Sequence, residues 1–213
     1  KAGEPNRNRP AAMIHDLPRT LVLTVKKTWD RFETTRDHLA QHGIQCEPFI
    51  GLDRTVCRLE PVMKFEVNAP GEKLGAGPLV TYLTHYMAWM VMQYLPEDVF
   101  WVLEDDAQLT DNWRYEYSEA MSVLPEDWDI VFLGSCCTHS QFRFHVDKHL
   151  FVVRYPMCGH ALMYRKKALP TLLRIHQKIW APLDIAMKYD SLPQLKVYTI
   201  LPRIVNQRNV FLP

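Results

Sequence analysis

The stretch VFWVLEDD, residues 99–106, decides the fold. Its first five residues are apolar and predict a strand buried on both faces, as in the middle of a parallel sheet. Three acids follow at once: Glu104, Asp105 and Asp106. Side chains alternate along a strand, so Glu104 and Asp106 are expected on one face and Asp105 on the other. In open α/β sheets the ligand crevice lies beyond the carboxyl ends of the strands. Adjacent carboxylates there repel one another. A hard divalent cation, Mn²⁺ or Mg²⁺, is their natural partner, because it takes oxygen ligands and keeps positions open for phosphate. An acidic loop that merely caps a nearby helix is the plainer alternative.

Outward from this stretch, strand and helix signals alternate. Residues 20–25 (TLVLTV) read as a buried strand. A helix is expected over 30–41 with Gly43 as its stop, then a strand over 45–50. Residues 57–77, with Pro61, Pro70, Gly71 and Gly75, read as an irregular loop. Pro78 suits a first helical turn, and residues 79–94 form a helix so uniformly apolar that burial on most sides is expected. Thr110 or Asp111 is placed to cap a helix reaching Leu124. Further strands are expected at 129–134, 151–155, 160–164 and 197–201, with helices at 166–176 and 183–188. The pattern predicts one α/β domain over residues 1–213 with a mostly parallel central sheet, residues 1–18 forming an extended segment.

The chain has 213 residues, of which 47% are hydrophobic and 23% charged, enough apolar mass for a core without metal or disulfide staples. No apolar run is long enough to span a bilayer, since residues 79–95 are interrupted by Thr81, Thr84, His85 and Gln93. The five cysteines form no C-x-x-C pair, which argues against a structural zinc site. With no N-glycosylation sequon, they point to a reducing, cytoplasmic setting. The net charge of +1 hides an asymmetry. Residues 97–129 hold eleven acids against one base, Arg114, and suit a cation. Residues 138–167 hold six Lys or Arg against Asp147, and suit an anion. Two solvated faces would show the same imbalance.

Several blocks together resemble glycosyltransferase family 25, the lipopolysaccharide galactosyl- and glucosyltransferases and collagen-type galactosyltransferases. Residues 79–92 (LVTYLTHYMAWMVM) resemble its His- and Trp-bearing helix, and 100–109 (FWVLEDDAQL) its VLEDDA strand. Residues 125–134 (PEDWDIVFLG) resemble its DWD element, and 158–169 (CGHALMYRKKAL) its Gly-rich strand and helix. Pro182-Leu183-Asp184 resembles its P-V-D motif, and 201–207 (LPRIVNQ) its terminal block. These blocks keep the family's order. The first strand departs from its basic pattern, reading Leu23-Thr24-Val25-Lys26-Lys27-Thr28-Trp29-Asp30-Arg31.

The resemblance implies a GT-A-type, Rossmann-like domain that moves a hexose, with inversion, from a UDP-sugar to a carbohydrate or other hydroxyl-bearing acceptor. It assigns the metal, Mn²⁺ or Mg²⁺, to Glu104 and Asp106, and a sugar or ribose hydroxyl to Asp105. It makes Asp184 the base that takes the acceptor's proton, ahead of Asp127 and Asp129. It sets His85 near the diphosphate, although a lone histidine in an apolar helix is usually a core residue. Lys26 and Arg31 follow the first strand, where donor phosphates or base are met. Gly134 lacks a Cβ and would let the backbone approach the sugar. Arg143 and Phe144, in the alternating run Phe142-Arg143-Phe144-His145, are the expected acceptor surface. The same strip, with the excess of bases over residues 1–36, raises an alternative acceptor: hydroxylated bases of nucleic acid. A non-catalytic nucleotide-sugar-binding module and a metal-dependent phosphoesterase sharing the acidic cluster are the remaining alternatives.

Overall fold

The computed structural model describes residues 17–53, 55, 75–135, 143–153 and 156–208. Most of the expected loop at 57–77, and the expected N-terminal segment up to residue 16, lie outside them. The chain runs through β1 (Arg19–Thr24), α1 (Trp29–Gln41), β2 (Cys46–Ile50), α2 (Ala76–Met92), β3 (Val99–Glu104), β4 (Ala107–Leu109) and α3 (Trp113–Val123). It continues through β5 (Ile130–Gly134), β6 (Arg143–Asp147), β7 (Leu150–Val153), β8 (Ala161–Arg165), α4 (Leu169–Ile175), α5 (Leu183–Ala186), β9 (Val197–Ile200) and β10 (Val205–Gln207).

Eight strands form one sheet in the order β2-β1-β3-β8-β5-β9-β7-β6. The pairings β1 with β2, β1 with β3, and β5 with β9 are parallel. Only β7 and β8 run against the other six strands of this sheet. This is the expected α/β sheet with six of eight strands running one way, but the two reversed strands make four of its seven pairings antiparallel, so it is a mixed sheet. The short strands β4 and β10 pair antiparallel as a separate ribbon.

Alternation along the strands builds a core on each face. Leu21, Leu23, Phe100 and Val102 pack with α2, α4 and α5 on one side. Val22, Trp101 and Leu103 pack with α1 and α3 on the other. Helix α1 buries Phe32, Thr35 and Leu39, one stripe of its surface. It ends as the sequence predicts: Gly43 takes a φ of +74°, with Gly43 N–H on the Ala40 carbonyl and Ile44 N–H on the Leu39 carbonyl. That is a Schellman motif, closed by contact between two buried residues, Leu39 and Ile44.

Helix α2 departs from the expectation of burial on most sides. Tyr82, His85, Trp89 and Met92 face the core, but Met90 is 40% and Val91 45% exposed. Only one flank of the helix meets the sheet, so its apolar outer residues stay in water. Helix α3 starts at Asn112 without a side-chain cap, so neither Thr110 nor Asp111 supplies the expected one. The Thr110 carbonyl instead receives Trp113 N–H at 3.2 Å. Cys158 is disulfide-bonded, which removes the basis on which cysteine usage pointed to a reducing compartment. Among the described residues no helix is long and apolar enough to cross a membrane.

A buried relay ties α2 to the segment after α5. The His176 ring lies between Tyr82 Oη (2.7 Å from Nδ1) and Ser191 Oγ (2.9 Å from Nε2). Burial lowers the His176 pKa from 6.5 to about 4. Between those values the unfolded chain binds a proton that the folded chain refuses, so stability is lost as pH falls through that window. The loss from this residue is about 2 kcal/mol at pH 5. Urea unfolding at pH 7 and pH 5 should show it, and His176→Gln should shrink the difference.

Candidate active site

The acid turn sits where β3 ends beside β1, at the carboxyl edge of the parallel strands. Glu104 is the last residue of β3 and keeps the parity of Val102, so it faces α2. There its Oε1 lies 3.7 Å from His85 Nε2. Beyond Glu104 the chain turns at Asp105 and Asp106 before β4. Arg31 meets both Asp105 and Asp106, and Asp106 also feels the Glu104 charge, so the three acids stay together at one cavity.

Asp105 is buried and fully engaged. Its Oδ2 accepts hydrogen bonds from Thr24 and Thr28, each at 2.9 Å. Its Oδ1 lies 2.7 Å from Arg31 Nη2, and the same nitrogen is 2.9 Å from Asp106 Oδ2. The other Asp106 oxygen, Oδ1, is buried with no hydrogen-bond partner. The β4–β10 ribbon fixes this turn from above. Arg208 N–H donates to the Asp106 carbonyl at 2.7 Å, and Gln207 Nε2 donates to Glu104 Oε2 at 3.4 Å.

The electrostatics separate the two outer acids. Burial pushes the Glu104 carboxyl up, but His85, His160 and Arg31 outweigh it and hold the group below its ordinary value. Burial and then the Glu104 charge push Asp106 up, against the pull of Arg31. Burial holds His160 below its ordinary value, despite its bond to the Val205 carbonyl and the Glu104 charge. A carbonyl only accepts, so His160 Nε2 carries the proton and Nδ1 is left as a buried, unpartnered acceptor.

Two cavities meet at this point. One, of about 460 Å³, is lined by Thr24, Thr28, Arg31, Asp53 and the three acids. The other, of about 290 Å³, is lined by Asp184, Cys158, Phe132 and His160. They share Thr81, His85 and Glu104. His85 stands in that common wall, buried, with neither ring nitrogen hydrogen-bonded. Asp184 lies in the first turn of α5, where Oδ2 accepts from Cys158 N–H at 3.2 Å and Oδ1 from Ile185 N–H at 2.9 Å.

The structure thus brings Arg31, His85, Glu104, Asp105, Asp106 and Asp184 around one pair of cavities. Other expected residues fall elsewhere. Lys26 is exposed and does not line the cavity; the next residue, Lys27, does. Gly134 lines neither cavity: a Cβ there would lie 2.3 Å from the Val205 carbonyl and 2.4 Å from His160 Nε2. Its bare backbone makes room for β10 and His160. Arg143 and Phe144 lie in β6, at the edge of the sheet opposite β2, with β8, β5, β9 and β7 between them and β3. Asp129 precedes β5, at the opposite end of the sheet from the acid turn, and pairs with Lys167, while Asp127 pairs with Lys196.

Thr24, Thr28, His160 and Gln207 belong to the site and were not singled out in the sequence. Gln207 and His160 stand inside blocks already quoted for the family resemblance, so a signal existed for both. The threonines carried none, since hydroxyls at a strand end are common.

No family model and no curated protein sequence matches the chain. Among solved structures it is similar to a glycosyltransferase involved in the glycosylation of the major capsid of PBCV-1, at 11% identity and a TM-score of 0.45, over 87% of this chain and 83% of that one. It is similar to the glycosyltransferase GlyE of Streptococcus pneumoniae TIGR4 at 8% identity and a TM-score of 0.45, over 87% of this chain and 46% of that one. It is also similar to a mannose-1-phosphate geranyltransferase of Thermus thermophilus at 11% identity and a TM-score of 0.37, over 88% and 74% of the two chains. Likenesses this distant assign no role to any residue here.

Proposed function

We propose that this chain is an inverting glycosyltransferase that moves a hexose from a UDP-sugar to the hydroxyl of a carbohydrate or similar acceptor. The observation that carries the reading is the junction of two cavities at Glu104 and His85, with an acid cluster in one and Asp184 in the other. The larger cavity has the size of a small-molecule site and takes the nucleotide. The smaller one takes the sugar ring and the attacking hydroxyl.

The acid turn fits a divalent cation. Asp106 Oδ1 is a buried acceptor without a partner, and the donor set is all oxygen. Among the described residues no three His, Cys, Asp or Glu side chains converge as a metal cage. Glu104 and Asp106 would therefore hold the ion from one side, leaving its other positions to phosphate and water, as Mg²⁺ and Mn²⁺ commonly require. Bound there, Mn²⁺ or Mg²⁺ would offset negative charge on the departing diphosphate.

The chain's own groups do the rest. Arg31 and Lys27 present positive charge to the phosphates. Asp105, held by two threonines, fixes the turn. Asp184 accepts the proton of the acceptor hydroxyl as its oxygen bonds to the anomeric carbon and the bond to UDP breaks. One displacement inverts the centre.

The test is UDP release from UDP-glucose or UDP-galactose with Mn²⁺ and an acceptor panel, alongside thermal shift by UDP. Asp106→Ala should weaken Mn²⁺-dependent UDP binding by at least about tenfold, since even indirect supports of a metal ligand are worth that much. UDP binding with no transfer to any acceptor would reduce the protein to a nucleotide-sugar-binding module. Undiminished turnover in Asp106→Ala would remove the metal role.

A further inference from the structure

The position of Arg31 is unfavourable for its own helix. It lies in the first turn of α1, where the helix dipole disfavours a cation. It is nevertheless held there by two carboxylates that share a single nitrogen, Nη2, at 2.7 and 2.9 Å. The Arg31 side chain is 45% exposed and lines the larger cavity, so it is free to leave without opening the core. Its two partners differ. Asp105 keeps both threonine bonds if Arg31 moves away. Asp106 would lose its ion pair, and its buried Oδ1 is already unpartnered. The positive charge at the acid turn therefore rests on the carboxylate that the proposed metal needs.

We propose that Arg31 is a resident counter-ion that competes with the divalent cation for Asp106 and transfers to the donor diphosphate when nucleotide binds. This rests on the metal-and-nucleotide reading above. In the empty protein Arg31 neutralises the acid turn and keeps metal affinity low. A diphosphate offers the guanidinium a stronger, bidentate partner and so releases Asp106 to the metal. Metal and nucleotide then bind cooperatively, each favouring the state in which Arg31 has moved.

The test is titration of Mn²⁺ into the whole protein, followed by electron paramagnetic resonance of the free ion, with and without UDP. Without UDP, Arg31→Gln should bind Mn²⁺ about tenfold more tightly than wild type, the size expected for removing two half-exposed ion pairs. Arg31→Lys, which restores the charge, should return toward wild type. With Mn²⁺ present, Arg31→Gln should bind UDP about tenfold more weakly. An arginine that only stabilises the fold would not give opposite signs for the two ligands. Mn²⁺ affinity that is unchanged or weaker in Arg31→Gln without UDP overturns the competition while leaving the metal site standing. If neither protein binds Mn²⁺ even with UDP, the metal reading itself falls, and the competition with it. Thermal unfolding of each variant confirms that the folded protein is being titrated.

Discussion

Asp184→Asn is expected to lower sugar transfer by about a thousandfold while leaving nucleotide binding intact, within the range that a positioned general base contributes. The substitution is nearly isosteric. Asparagine's amide oxygen can still accept from Cys158 N–H or Ile185 N–H, which now share the two Asp184 oxygens. The first turn of α5 should therefore keep its place, and what is lost is the basicity. Asp184 also lies outside the lining of the nucleotide cavity, so UDP should raise the melting temperature as it does in the wild type. Transfer rates at saturating donor and acceptor, set beside the UDP thermal shift, separate the two effects. A loss of UDP binding in step with activity would mean that Asp184 shapes the site and does not accept the proton. The rival acids, Asp127 and Asp129, are tied to Lys196 and Lys167 at the other end of β5, and their asparagine variants should keep wild-type transfer.

Gly134→Ala is expected to destabilise the protein by about 3 kcal/mol, the upper part of the range for overpacking a closed core. The added methyl would meet a backbone carbonyl, that of Val205, at 2.3 Å and the His160 ring at 2.4 Å. Neither can step aside easily. The carbonyl belongs to β10, which is paired to β4, and His160 is buried. Any shift of β10 also moves Gln207 away from Glu104, so UDP binding should weaken along with stability. Gly75→Ala is the control: its nearest outside atom would be Pro78 Cδ at 3.7 Å and its φ is −63°. It should change stability by no more than about 0.5 kcal/mol. Urea unfolding of both variants reads the contrast. A stable Gly134→Ala that fails only in transfer would instead favour a place beside the sugar.

What was legible in the sequence follows from the range of the forces involved. Buried strands such as β3 and β5 announce themselves by unbroken apolar runs, and α1 by its stripe and its glycine stop. Those are local patterns, and they placed the acid turn at the end of a central strand. The ribbon of β4 and β10 was not visible. Each strand has three residues and exists only because the other pairs with it across about a hundred positions of chain. Gln207 reaches Glu104 through that pairing.

The misplacements in the site have similar causes. Lys26 and Lys27 are both exposed in a tight 3₁₀ turn, and one position decides that Lys27 and not Lys26 borders the cavity. Arg143 and Phe144 carry plausible chemistry for binding a sugar, but strand order sets β6 at the far edge, and nothing local encodes strand order. His176 drew no attention in the sequence, because its partners Tyr82 and Ser191 lie on other elements.

The most direct measurement is a crystal structure of the protein soaked with UDP and Mn²⁺. The diphosphate should be ordered between Arg31 and the Glu104–Asp106 turn, with its β-phosphate facing His85 and the cavity of Asp184. Nucleotide bound at a site that touches none of Glu104, Asp105 and Asp106 would contradict the account.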